Sequence, residues 1–168
     1  MLEAGVLHDD EPLEFLEGEL IVMVPQGPVH AGLAAYIHHC LEGAYGPGFH
    51  VRDHSPVVAG RDSLPEPDVA VARGGMRDYL KSHPGPKQVP LVVEISASRR
   101  LVDRKKARIY AAAGFPTYWI VDVDARRLEV RSEPTPDGQY SSTQLLAEGA
   151  SAAIPETTQT LLVSELLP

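Results

Sequence analysis

Asp68, Glu94 and Lys106 are the residues of this chain whose types and setting could do chemistry. Two carboxylates at the ends of neighbouring strands, with an amine aimed at them from the next helix, make the donor set of a metal site for phosphodiester hydrolysis. Asp68 follows Pro67 and opens the apolar run Asp68-Val69-Ala70-Val71-Ala72. Glu94 interrupts Val89 to Ile95, an otherwise nearly continuous apolar stretch that reads as a strand buried on both faces. Side chains at i and i+2 share a face of a strand, so Val92, Glu94 and Ser96 point one way while Leu91, Val93 and Ile95 point the other. A carboxylate in that setting incurs a desolvation cost of several kcal/mol unless a cation or a donor meets it. On the helix that follows, Val102, Lys106, Ile109 and Ala113 fall at spacings of four, three and four, which puts Lys106 inside the apolar stripe. An inward lysine requires an anion.

In that arrangement Asp68 and Glu94 would hold Mg²⁺ or Mn²⁺, with a backbone carbonyl near Ile95 and waters completing the shell. Lys106 would orient or deprotonate the attacking water and offset charge on the phosphate. Each residue also has an ordinary structural explanation. Asp68 could be a turn residue or strand cap, Glu94 could pair with an arginine, and Lys106 could snorkel from the stripe into water. Arg100, Arg104 and Arg108 repeat every four residues as a basic ridge that could meet phosphates, or could be a solvated face. His30, His38 and His39 lack the spacing and the cysteine partners of a zinc site.

The elements that must position these groups can be placed along the chain. Glu14 to Val24 suits a hairpin about Gly18, and a helix beginning at Pro28 carries Leu33, Ile37 and Leu41 before stopping near Gly43. Short strands are expected at Phe49-Val51 and Pro56-Ala59, then the Asp68 strand, a polar excursion from Arg73 to Val89 with one helical turn, and the Glu94 strand. Ser98 can cap a helix over 99–113 that Gly114 and Pro116 end. The strand from Thr117 to Val123 completes a βαβ crossover and lies parallel to the Glu94 strand, with Tyr118 and Trp119 in the core. Arg127 to Arg131 and Tyr140 to Leu146 supply edge strands.

A chain of 168 residues with 43% hydrophobic content builds one packed core, so a single domain over 1–168 is expected. It has no run of transmembrane length and no signal-like start, and Cys40 is its one cysteine, which together suit a soluble protein of a reducing cytoplasm. The net charge of -8 works against polyanion binding unless cations are gathered locally.

The segments LPEPDVAVA, PLVVEIS and DRKKARIYAAAGFPTYWIVDVDARRLEV, with the early EFLEGELIVM and His30, resemble the Uma family of putative restriction endonucleases, within the PD-(D/E)XK nuclease superfamily. The resemblance runs from about Ala4 to Glu133. It implies an α+β fold with a restriction-endonuclease-like αβββαβ core, a mixed central sheet flanked by helices with extra edge strands, divalent-metal dependence, DNA as substrate and a homodimer. By the same matching, Asp68 stands at the PD aspartate and Glu94 at the acid opening ExK, while Ser96 occupies the place of the ExK lysine. Lys106, four before Tyr110, stands where this branch carries a lysine on the following helix. Asp103 lies three before Lys106 where the family shows four, and Glu19, His30 and Asp103 match as neighbours of the site. A protein that keeps the fold as a nucleic-acid-binding or assembly module without cleaving is the rival expectation.

Overall fold

The computed structural model describes residues 12–23, 25–96 and 100–168, and of 100–103 the backbone alone. Ser98, the expected helix cap, and the side chains of Arg100 and Asp103 therefore lie outside the described residues. The chain opens with an antiparallel hairpin, β1 (Leu13–Leu16) and β2 (Glu19–Val22), turning at Glu17 and Gly18, both at positive φ. Helix α1 (Pro28–Tyr45) follows, then β3 (Phe49–Asp53), β4 (Val69–Arg73), a 3₁₀ turn (Met76–Tyr79), β5 (Leu91–Ser96), helix α2 (Arg100–Ala113) and β6 (Thr117–Asp122). From α1 to β6 the order is αβββαβ. The hairpin β7 (Arg127–Thr135) and β8 (Gln139–Ala147) extends the sheet, and β9 (Ser151–Ala153), β10 (Thr160–Leu162) and a closing 3₁₀ turn (Val163–Leu166) complete the chain.

Six strands form the central sheet in the order β3-β4-β5-β6-β7-β8, antiparallel throughout except for the parallel pair β5–β6. That parallel pair is the βαβ crossover through α2, which Gly114 ends at φ +87 with its N–H on the Tyr110 carbonyl. Alternation along β5 splits the core in two. Leu91, Val93 and Ile95 join Leu33, Ile37 and Leu41 of α1 on one face, whereas Val92 joins Ala107, Ile109 and Tyr110 of α2 on the other. With helices on both faces the middle of the sheet is dry, and all six residues of β5 are buried. Trp119 and Tyr118 are core residues on opposite faces.

Three details differ from the sequence expectation. Helix α1 runs past Gly43 to Tyr45, because Tyr45 continues the buried stripe and packs its ring 4.7 Å from Phe49. Pro56-Ala59 is a loop and not a strand: β3 pairs directly with β4 at Asp53 and Val69, so the chain between them must leave the sheet. The loop is tied to itself through Val57 N–H on the Pro65 carbonyl and Ala59 N–H on the Ser63 carbonyl. The segment after β8, where no element was expected, places Ala152, Ile154, Val163 and Leu166 against the α1 face. Among the described residues no helix is long and apolar enough to cross a membrane.

Candidate active site

The antiparallel register of β4 and β5 brings the two acids together. Val69 pairs with Val93 and Ala70 with Val92, so the next step outward sets Asp68, at the start of β4, across from Glu94, near the end of β5. Residues 26 apart in sequence thereby share one end of the sheet. Asp68 is fixed by the backbone: its Oδ2 accepts the buried Ile95 N–H at 2.7 Å. Its Oδ1 faces α1 and the loop after β3, with Gln26 Nε2 at 3.3 Å, His30 Nε2 at 2.8 Å and His54 Nδ1 at 3.7 Å. The His30 contact is close without being an aligned N–H···O bond, and Nε2 is a buried atom with no hydrogen-bond partner among the described residues.

Glu94 points to the α2 face as its register requires, and α2 answers it. Lys106 Nζ lies 2.9 Å from Glu94 Oε1, and Tyr110, one turn on, donates its hydroxyl to the same oxygen at 2.9 Å. The inward position of Lys106 follows from the apolar stripe, and the residue is 3% exposed. Its second anion is Glu14 of β1, with Oε1 at 2.7 Å, and its third acceptor is the Glu66 carbonyl at 3.3 Å. Glu14 is fully buried and also accepts the Glu66 N–H at 2.7 Å, while its Oε2 has no hydrogen-bond partner among the described residues. The three groups picked from the sequence thus lie at one end of the sheet, with Lys106 turned inward and away from solvent.

Burial raises the Glu94 carboxyl to about 8; the Lys106 charge opposes this, and the charges of Asp68 and Glu14 add to it. For Lys106 burial is the largest influence and works against the charge, yet the carboxylates of Glu94 and Glu14, with their hydrogen bonds, outweigh it and hold the amine above the ordinary lysine range. Burial, reinforced by the Glu94 charge, keeps the Tyr110 phenol well above its usual range, so it stays a donor. Because the folded Glu94 carboxyl sits higher than in the unfolded chain, its contribution to stability is fully present below the ordinary carboxylate range and is lost as pH rises through about 8. Metal-free protein is therefore expected to lose up to several kcal/mol between about pH 5 and 8 from this group. Glu94→Gln should flatten that slope, as read from urea midpoints in chelator; an unchanged slope would place the titration elsewhere.

Sequence reasoning missed Glu14, Tyr110, Gln26 and His54, and the signal for two of them was present. Glu14 shares the face of the buried Leu16 by strand alternation, and Tyr110 lies one turn from Lys106. Glu19, matched by resemblance, instead lies at the surface, where it pairs with Lys105 at 2.9 Å; β2 is the outer strand of its hairpin and buries no residue fully. Of the expected ridge, Arg104 and Arg108 are both exposed and line one hollow together. Arg108 is exposed and paired with Glu17 at 2.5 Å, and Arg104 turns toward a hollow beside Ser96.

The sequence model of the Uma2 family, whose description is "Putative restriction endonuclease", matches residues 2–164. The chain belongs to the Uma2 family. No curated protein matches it. Among solved structures it is similar to a putative nuclease of the DUF820 family from Anabaena variabilis, with TM-score 0.76 over 98% of this chain and 94% of that one at 17% identity. At that identity the likeness establishes the fold alone, and the fold is the one expected from the sequence. In this Uma2 chain the carboxylates of Asp68 and Glu94 are the donor type a hard divalent cation accepts, and His30 Nε2, close to Asp68 Oδ1 without an aligned hydrogen bond, is a softer nitrogen donor beside them. Among the described residues no group of three or more His, Cys, Asp or Glu side chains is placed to hold a metal ion.

Proposed function

We propose that this Uma2 protein is a divalent-metal-dependent endonuclease that hydrolyses DNA phosphodiester bonds where Asp68, Glu94 and Lys106 meet. The observation that carries the proposal is the buried Lys106 ammonium, held by two carboxylates one strand away from Asp68. Mg²⁺ or Mn²⁺ bound there would polarise the phosphate and lower the pKa of the attacking water. Asp68 Oδ1 and Glu94 Oε2 are the oxygens to hold it, since Ile95 N–H takes Asp68 Oδ2 and Lys106 and Tyr110 take Glu94 Oε1. His30 stands beside Asp68 as a further donor. Lys106 remains protonated between its acids, so its part is to orient water and offset the charge growing on the phosphate, and not to accept a proton. Glu14 and the Glu66 carbonyl keep that ammonium in place. A homodimer would present two such sites to the two strands of a duplex.

The test pairs a binding readout with a chemical one. Saturating Mn²⁺ at about 100 Kd should stabilise the protein by about 2.7 kcal/mol, roughly 5–10 °C in Tm, and supercoiled plasmid should be nicked with Mg²⁺ or Mn²⁺ and spared in EDTA. A metal-independent Tm together with intact plasmid would favour the rival, a non-cleaving nucleic-acid or assembly module.

A further inference from the structure

Beside the acids, on the α2 face of the sheet, the strand registers line up a second set of side chains. Ser96 pairs with Asp122 and Asp122 with Arg127; Glu94 pairs with Ile120 and Ile120 with Glu129; Val92 pairs with Tyr118 and Tyr118 with Arg131. Two arginines of β7 therefore flank the row that begins with Glu94, two strands away, or ~10 Å at the usual strand spacing. Arg104 of α2 comes over them, and together with Ser96, Asp122, Arg127, Glu129 and Arg131 it lines a hollow of about 160 Å³. That is many times the roughly 15 Å³ needed for one water. A second hollow of about 270 Å³ shares Arg104 and Arg131 and continues over β8 to Gln139 and Tyr140.

The charges in this trough are unevenly matched. Arg131 is held by Glu129 at 2.5 Å, whereas Arg127 meets Asp122 through one nitrogen at 3.2 Å and leaves its Nε buried without a hydrogen-bond partner among the described residues. Arg104 is exposed and has no ion-pair partner among the described residues. Three guanidiniums against two carboxylates leave a local cationic surplus on a chain of net charge -8. A guanidinium with a free N–H fork is matched by the oxygens of a phosphate.

We propose that this trough holds a nucleic-acid phosphate next to the one being cleaved, with Arg104 and Arg127 as its binding residues. The inference rests on the nuclease function proposed above and adds where the substrate strand leaves the site: from Glu94 past Ser96, over β6 and β7. The phosphate could belong to the continuing backbone or to a strand end, and both present the same oxygens.

Binding of a fluorescent DNA duplex to the full chain in EDTA, with and without 5′-phosphates and at several salt concentrations, tests this apart from cleavage. Arg104→Gln and Arg127→Gln should each weaken binding by roughly three- to tenfold and make the plot of log affinity against log salt shallower by about 0.9. Asp122→Asn, which removes the carboxylate competing for Arg127, should strengthen binding several-fold, and it decides the matter if Arg127→Gln fails to fold. Losses confined to the 5′-phosphorylated duplex assign a strand end; equal losses on both assign the backbone. Arg126→Gln, a surface residue paired with Glu148, is the control. If wild-type protein binds and nicks DNA while Arg104→Gln and Asp122→Asn match the control, the trough is not a phosphate site and the nuclease proposal stands. If wild-type protein binds no DNA, both fall.

Discussion

Asp68→Asn is expected to leave the fold standing while removing both the metal-induced rise in Tm and plasmid nicking. The substitution keeps shape and keeps an oxygen to accept the Ile95 N–H that Oδ2 accepts at 2.7 Å, so the local backbone retains its anchor. What disappears is one of the two negative charges a hard cation needs, and turnover should fall on the order of 10²–10³-fold or more. A secondary effect runs through Glu94. The Asp68 charge helps to push the Glu94 carboxyl up, so the Asn variant should lose less metal-free stability between pH 6 and 8 than wild type. Single-turnover nicking, Mn²⁺-dependent melting and urea midpoints at pH 6 and 8 read these effects separately. Nicking at the wild-type rate would remove Asp68 from the site whatever the melting data said.

The order of elements from α1 to β6 was legible because each carries its own local signal. Pro28 opens α1, Gly114 closes α2, and the uninterrupted apolar run of β5 leaves no wet face. Lys106 was legible for the same reason: a charge at a stripe position violates a local pattern, and such violations cluster where a protein does something other than fold. Glu14 was harder. Its strand has four residues, too few for alternation to stand out, and its partner lies in α2, contacted only in the folded chain. His54 and Gln26 belong to loops whose placement around Asp68 is set by the α1 packing and the β3–β4 register, not by any period in the sequence. The trough beside Ser96 lay beyond sequence reasoning altogether, since it depends on which residues of β6 and β7 face each other across two ladders.

Lys106→Met should be the most damaging single change, and its two consequences can be pulled apart. Removing the ammonium leaves Glu94 and Glu14 facing one another in a buried setting without their cation, a loss of about 3–5 kcal/mol, or roughly 10 °C in Tm, relieved in part by protonation of one acid. A purely structural lysine would account for lost activity through lost fold. Lys106→Met with Glu14→Gln distinguishes the cases, because it removes the cation together with one of the acids that cation neutralises and leaves Asp68 and Glu94 in place. The double variant should regain a substantial part of the lost stability, since breaking one partner of a buried pair is worse than replacing both. Mn²⁺ affinity in the double variant should stay within a few-fold of wild type, while nicking stays absent, because nothing remains to offset charge on the phosphate. Recovery of nicking along with stability would make Lys106 a scaffold residue and leave the metal site to act without a cationic partner.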